Sequence, residues 1–159
     1  MNITIISLGK LKEKYLKDAV TEYTKRISAY SKIDIIELTP VRLSDNPSQG
    51  EISAALTKEA EDIKKKIPNS SYVIALCIEG KEKSSEDFAK AVSNAFANGK
   101  SSIVFIIGSS YGLAPEIKAL ADFKLSFSPM TFPHQLMRVM LLEQVYRAFQ
   151  INNNGKYHK

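Results

Sequence analysis

The chain has few of the residues that build redox, metal or membrane sites. Its 159 residues include one cysteine, Cys77, which excludes an internal disulfide and is typical of a reducing compartment. Two histidines and this one cysteine lie far apart, so we expect no zinc site. No apolar run approaches the roughly 18 residues that a membrane span needs. Residues 1–4 also lack the basic start of a signal peptide, and we expect a cytoplasmic protein.

Two common nucleotide-binding motifs are absent as well. The chain contains neither G-x-G-x-x-G nor G-x-x-x-x-G-K-[ST], so neither a Rossmann fingerprint nor a P-loop is predicted. The net charge is +5, from 22 basic and 17 acidic residues, and no acidic residue follows Glu143. Because Arg147, Lys156 and Lys159 remain beyond that point, the C-terminal end should attract phosphate. Nucleic acid is therefore a candidate partner.

The apolar periodicity alternates between strand and helix along the whole chain. Strands are predicted at 2–8, 33–38, 72–78, 103–107 and 123–127. Helices are predicted at 12–30, 50–67 and 84–98, in a short segment from Pro115, and in a long segment from Pro133. This order predicts one α/β domain over 1–159, with a mostly parallel sheet flanked by helices. Residues 152–159 would form a tail that is either flexible or ordered at an interface.

Two finer predictions concern buried elements. The runs 72–78 and 103–107 are fully apolar, which is typical of central parallel strands covered on both faces. In the last helix, the spacing of the apolar residues predicts a core face. That face consists of Leu136, Val139, Met140, Val145, Tyr146 and Phe149.

Ligands of parallel α/β sheets bind beyond the carboxyl ends of the strands. That rule selects the loops 79–81, 108–112 and 128–132. The second loop reads Gly-Ser-Ser-Tyr-Gly and matches the G-x-S-x-G of serine hydrolases, and Asp122 and His134 follow in the appropriate order. The three groups lie within 25 residues, far closer than in that fold, so a sharp glycine bend is the favoured interpretation. A hydrolase that uses Ser110 stays open as an alternative.

Four segments together closely resemble the RlmH family of ribosomal RNA methyltransferases, which belongs to the SPOUT class. They are 76–80 (LCIEG), 107–112 (IGSSYG), 126–134 (SFSPMTFPH) and 157–159 (YHK), and the resemblance covers the whole chain. It implies an α/β knot, in which the C-terminal segment threads through a loop to form a trefoil. It also implies a homodimer with S-adenosylmethionine as methyl donor and no metal. The acceptor would be N3 of a pseudouridine in helix 69 of 23S ribosomal RNA, in assembled ribosomes.

The resemblance also implies a set of cofactor-binding residues. They are Leu76, Gly108, Phe127, Ser128, Pro129, Met130, Thr131 and Phe132. Backbone groups of these loops would bind the adenine edge and the ribose, between apolar walls from Leu76, Phe127 and Met130. Gly108 would leave room for the ligand, although a tight turn explains the same glycine.

Catalytic help is expected from His134, Arg138, Tyr157 and His158. The first two lie four residues apart at the start of the last helix, where the helix dipole favours anions. His134 would contact the target nucleotide or handle its proton, or else cap the helix. Arg138 would contact RNA phosphate or the N3 anion, or else form an ion pair.

The tail is expected to reach the RNA. Tyr157 and His158 would hold an unpaired base, and Lys156 and Lys159 would contact phosphate. By the same resemblance, the tail would complete the site across the dimer interface. A basic RNA-binding assembly factor without catalysis is the remaining alternative.

Overall fold

Five parallel strands form the central sheet of the computed structural model, which describes residues 1–159. The strands are β1 (Asn2–Leu8), β2 (Lys32–Leu38), β3 (Ser71–Glu82), β4 (Ser102–Ile107) and β5 (Phe123–Ser126). The helices are α1 (Lys14–Ile27), α2 (Gln49–Lys64), α3 (Ser85–Ala97), α4 (Pro115–Leu120) and α5 (His134–Asn152). The strand order is β2-β1-β4-β3-β5, with every pairing parallel. The predicted α/β class, with a parallel sheet flanked by helices, is confirmed.

Both faces of the sheet are covered, as the fully apolar runs predict. On one face, Ile5 and Phe105 pack in a cluster with residues of α1, α3 and α5. On the other face, Ile6 and Ile106 pack in a cluster with residues of α2 and α4. All six residues of β4 are buried, because successive side chains of an interior strand point to opposite covered faces. No helix is long and apolar enough to cross a membrane.

Helix α5 buries part of the predicted core face together with residues outside it. Its buried residues are Arg138, Leu141, Leu142, Val145, Ala148, Phe149 and Gln150. Of the predicted face, Val145 and Phe149 are buried, and Val139 and Tyr146 pack against the same cluster, whereas Leu136 is exposed and Met140 is half-buried. The additional burial arises because α5 contacts both α1 and α3, and two packed sides leave no single apolar stripe. Pro133 precedes the helix, which begins at His134.

Strand β3 is longer than predicted because it contains an outward excursion. Leu125 of β5 pairs first with Leu76 and then with Lys81, so residues 77–80 leave the ladder. Gly80 crosses close to the β5 backbone, where a Cβ atom would lie 2.8 Å from the carbonyl carbon of Leu125. No side chain fits at that distance, and glycine is required there. The excursion carries residues 77–79 toward the carboxyl ends of β4 and β5.

Candidate functional site

The largest cavity of the molecule, about 760 Å³, lies at the carboxyl ends of β3, β4 and β5. Its lining comes from residues 76–79, 107–113, 125–128 and 130–134, together with Lys118 and Met137. A volume of this size accommodates a nucleoside-sized ligand. The rule that ligands bind beyond the carboxyl ends of parallel strands thus selects segments that enclose this cavity.

Seven of the eight predicted cofactor-binding residues line this cavity. They are Leu76, Gly108, Phe127, Ser128, Met130, Thr131 and Phe132. Pro129 does not line the cavity, although both of its neighbours do. Leu76 and Phe127 are half-buried, while Met130 is 73% exposed. Two of the three proposed apolar walls are thus partly packed against the protein, and the third is exposed to solvent.

The loop after β4 folds back on itself. The N–H of Gly112 donates a hydrogen bond to the carbonyl of Ser109 at 2.9 Å, and Gly112 has a φ of +85°. Gly108 is buried beneath this turn, where a Cβ atom would lie 2.6 Å from the carbonyl carbon of Gly112. The close approach of Gly112 therefore accounts for the glycine at 108 before any ligand is considered.

A side-chain turn shapes the loop after β5. The hydroxyl of Ser128 accepts a hydrogen bond from the N–H of Met130 at 3.0 Å. The hydroxyl of Ser126 donates to the carbonyl of Ser128 at 3.2 Å. Serine hydroxyls commonly replace backbone partners in such turns. Residues 126–130 are thereby held in a defined path along one side of the cavity.

Three titratable side chains give the cavity its charge pattern. Glu79 and Lys118 form an ion pair, and the hydrogen bond from Lys118 lowers the pKa of Glu79. Burial lowers the pKa of His134, and the positive charges of Arg138 and Lys12 lower it further. The His134 imidazole is therefore neutral at pH 7, and it can accept a proton or a hydrogen bond.

Arg138 lies beneath the site rather than in it. Its side chain is 2% exposed, and it donates to the Glu37 carboxylate at 2.7 Å and to the Gly9 carbonyl at 3.0 Å. Glu37 also accepts from the N–H of Leu11 at 3.1 Å. Burial would raise the pKa of Glu37, but its hydrogen bonds from Arg138 and Leu11 hold that pKa below its usual value. The ion-pair interpretation of Arg138 fits this geometry, and phosphate contact does not.

The C-terminal tail is ordered against its own chain and does not line the cavity. Tyr157 donates to Glu143 at 3.1 Å, and burial together with this bond raises the pKa of Tyr157 to about 12. His158 contacts Glu86 of α3 at 2.9 Å and Arg147 of α5 at 3.1 Å. Within one chain, the four predicted catalytic residues are thus divided among a cavity wall, a buried ion pair and the tail.

The model of a family described as "Predicted SPOUT methyltransferase" matches residues 1–158. This chain belongs to the SPOUT methyltransferase family. The resemblance predicted from the sequence is therefore confirmed. The parallel sheet and the cavity at its carboxyl edge belong to a member of a methyltransferase family.

Its relatives are similar over their full length. A protein of Methanococcus maripaludis strain C5, named "Putative ribosomal RNA large subunit methyltransferase H", is 58% identical over 159 residues, which is 100% of both chains. The "Ribosomal RNA large subunit methyltransferase H" of Bacillus thuringiensis strain Al Hakam is 53% identical over the same length and coverage. A solved structure of a "probable methylase family protein" from Haemophilus influenzae Rd KW20 has a TM-score of 0.53. At 15% identity, covering 99% of this chain and 70% of that one, it shows a likeness of fold alone.

Two features of this SPOUT chain were not predicted from the sequence, namely the ion pair beside the tail and the burial of Glu59. Glu143 and Arg147 form an ion pair at 2.6 Å beside the tail, and their spacing of four residues on a helix was the available signal. Arg147 also lies 4.7 Å from the ring centroid of Tyr157. Glu59 is buried behind the loop after β4. Its position on the inward face of α2 was the available signal in the sequence. A carboxylate is rarely buried without a partner, so a glutamate on that face indicates a specific contact.

The serine-hydrolase triad is not assembled in the SPOUT fold. Asp122 precedes β5, and its carboxylate accepts a hydrogen bond from the N–H of Val73 at 2.8 Å, at the amino edge of the sheet. Ser110 and His134 lie at the carboxyl edge, where both line the large cavity. A triad needs its acid within hydrogen-bond reach of the histidine.

Proposed function

We propose that this protein transfers a methyl group from S-adenosylmethionine to N3 of the pseudouridine in helix 69 of 23S ribosomal RNA. It would do so as a cytoplasmic homodimer acting on assembled ribosomes. The observation that carries the proposal is the 760 Å³ cavity at the carboxyl edge, lined by seven of the eight residues that the family motif selects. Full-length relatives named ribosomal RNA large subunit methyltransferase H support ribosomal RNA as the substrate.

The residues that line the cavity fit the proposed methyl donor. Leu76 and Phe127 offer packed apolar surface for an adenine ring, and Met130 is free to close over it. The loops 108–113 and 127–133 are irregular, so they present backbone donors and acceptors that a strand or helix would use internally. S-Adenosylmethionine supplies a methyl group on a sulfonium, which a nucleophile displaces in line.

In this proposal, the protein aligns the reactants and lowers the cost of removing the N3 proton. In-line displacement depends mainly on alignment and requires no covalent intermediate on the enzyme. His134 is held neutral by burial and by neighbouring cations, so it is able to accept a hydrogen bond from N3. Positive charge nearby would favour the N3 anion, and the cation that lines the cavity is Lys118, which is paired with Glu79.

The proposed dimer explains how the tail would take part. Tyr157 and His158 do not line the cavity of their own chain, so they would contribute to the cavity of the partner. Apolar side chains at or near the cavity support such an interface, because Tyr111, Met130 and Leu136 are all exposed. We also propose that the C-terminal segment is threaded as a trefoil knot, with α5 returning between α1 and α3.

Two measurements test the proposal. Calorimetric titration with S-adenosylmethionine should give saturable heat, and radiolabelled methyl should reach N3 of that pseudouridine in ribosomes that lack the modification. Ribosome binding without heat from the methyl donor would instead indicate a non-catalytic assembly factor. Labelling of Ser110 by a fluorophosphonate, with turnover of esters, would indicate a hydrolase.

A further inference from the structure

Glu59 is a buried carboxylate with partners in two different loops. It belongs to α2 and is 4% exposed. One carboxylate oxygen accepts a hydrogen bond from the N–H of Val41 at 2.9 Å, and the other accepts from the hydroxyl of Ser109 at 3.1 Å. Val41 lies in the loop between β2 and α2, and Ser109 lies in the loop after β4. The carboxylate therefore joins three segments that are distant in sequence.

The hydrogen bond from Ser109 connects the Glu59 carboxylate to the wall of the large cavity. Ser109 lines the large cavity and also a smaller cavity of about 200 Å³, whose lining includes Val41 and Glu59. His134 lines both cavities as well. The loop that carries Ser109 is thus a wall between the two spaces, and Glu59 holds that wall from behind.

Within the loop, Ser109 and Gly112 form an isolated antiparallel bridge, with a hydrogen bond from the N–H of Gly112 to the carbonyl of Ser109, and glycines stand at both ends of the loop. Glycine permits backbone conformations that other residues do not, so a loop without the hydrogen bond to Glu59 would have more conformations available. Helix α2 gives a rigid base, because Ala55, Ala60 and Ile63 are buried in the core.

Burial of a charged group is costly unless its hydrogen bonds are satisfied, and apolar residues of similar size often stabilise a core better. Packing alone therefore does not explain a glutamate at this position. Ser109 lines the large cavity, whereas Val41 lines the smaller one.

We propose that Glu59 is a positioning residue, which fixes the loop 108–112 through Ser109 in the conformation that binds the methyl donor. This inference rests on the proposed function. When only a fraction of molecules has the competent loop, the apparent dissociation constant rises by the inverse of that fraction. Removing the hydrogen bond between Glu59 and Ser109 should therefore weaken binding of the methyl donor and leave the folded core intact.

The test compares four variants of the full chain by calorimetric titration with S-adenosylmethionine, at a temperature well below every melting transition. Glu59→Leu keeps the approximate size of the side chain and removes both acceptors, and Ser109→Ala removes the hydroxyl; each should raise the dissociation constant about tenfold. Ser109→Thr keeps the hydroxyl and should restore the affinity of the unmodified protein. Glu61→Leu makes the same change at an exposed carboxylate on the same helix and should have no effect.

The double variant Glu59→Leu/Ser109→Ala separates positioning from general destabilisation. Because Ser109 is proposed to act through its hydrogen bond to Glu59, the double variant should bind no more weakly than Glu59→Leu alone. If Glu59 has only a structural role, Glu59→Leu will lower the melting temperature and leave the affinity of the folded protein unchanged, which overturns the inference. If the unmodified protein itself does not bind S-adenosylmethionine, the proposed function fails, and this inference fails with it.

Discussion

The two ends of α5 carry the same residue types in very different surroundings. At the amino end, Arg138 is 2% exposed and is bound by Glu37 and the Gly9 carbonyl, while His134 lines the cavity. At the carboxyl end, Arg147 is 24% exposed and contacts Glu143 together with the tail. The first arginine is enclosed by the fold, and the second faces solvent beside an aromatic ring and a histidine.

This difference shows that sequence spacing alone does not select the functional arginine. The spacing of one helical turn after His134 predicts a functional Arg138, but its guanidinium holds β2 and the loop after β1 against α5. Arg147 is partly exposed and paired with Glu143, and no acidic residue follows Glu143 in the chain. Under the proposed function, the amino end would serve the donor cavity and the carboxyl end would serve the RNA.

The largest effect should come from removing the tail. Deleting residues 155–159 should reduce methyl transfer to ribosomes by about 1,000-fold or more, equivalent to ~4 kcal/mol of transition-state stabilisation. The affinity for S-adenosylmethionine should change far less, because the residues that line the cavity within one chain all remain and the partner's tail is proposed to contact the RNA. Single-turnover transfer and calorimetric titration measure the two quantities. Unchanged transfer by a folded deletion variant would remove the tail from the mechanism.

Replacing Arg138 should lower the free energy of unfolding more than replacing Arg147 does. Arg138→Ala should lower the free energy of unfolding by about 3 kcal/mol, since it breaks a buried ion pair and leaves the Gly9 carbonyl without its donor. Arg147→Ala should cost less than about 1 kcal/mol in stability, because its ion pair is partly exposed. Urea unfolding gives both values. Equal losses in the two variants would contradict the division between a structural and a functional arginine.

Gly108→Ala tests the cavity at the amino end alone. The new methyl group would meet the backbone of Gly112, so the loop must shift and donor affinity should fall about tenfold. Gly99→Ala is the matched control, because Gly99 has a φ of +82° but no atom within 4 Å of its would-be Cβ. The control should lose about 1 kcal/mol of stability and keep its donor affinity. Weaker donor binding in Gly99→Ala as well would mean that strain is transmitted through the whole fold.

The sequence predicted most of the fold because strand patterns and cap residues are local. The hydroxyl of Ser84 caps α3 by accepting from the N–H of Asp87, and Gly99 takes the left-handed conformation after that helix, so both ends of α3 are marked by residues next to it in the chain. The loops at the carboxyl edge could also be predicted, since the rule for parallel sheets depends only on strand direction. The burial of Arg138 could not, because its partner Glu37 is 101 residues away.

Non-local packing also explains the other structural features that the sequence did not predict. The excursion of β3 depends on how β5 pairs with it, and no local pattern in residues 77–80 specifies that pairing. The burial of Glu59 depends on Ser109, which is 50 residues distant. Whether the tail lies against its own chain or in a partner's cavity is set by the assembly, which lies beyond local sequence signals.

The smallest effect concerns His134 and the pH dependence of stability. Because burial lowers the pKa of His134, the unfolded chain binds a proton at this residue more readily than the folded chain does. Above the ordinary histidine value of 6.5 neither state is protonated there, so the penalty is absent. As the pH falls below 6.5, the unfolded state gains protons first and the folded state loses stability. This loss stops once the pH is below the folded pKa of His134.

His134→Gln isolates this contribution. The free energies of unfolding of the unmodified protein and of His134→Gln should be compared at pH 8 and pH 5.5, where all other groups cancel in the difference. The unmodified protein should lose more stability between these pH values than His134→Gln does. A difference between the two proteins that is independent of pH would show that His134 is not held among Arg138, Lys12 and the buried start of α5. In that case the neutral imidazole, on which the proposed contact to N3 depends, would have no structural basis.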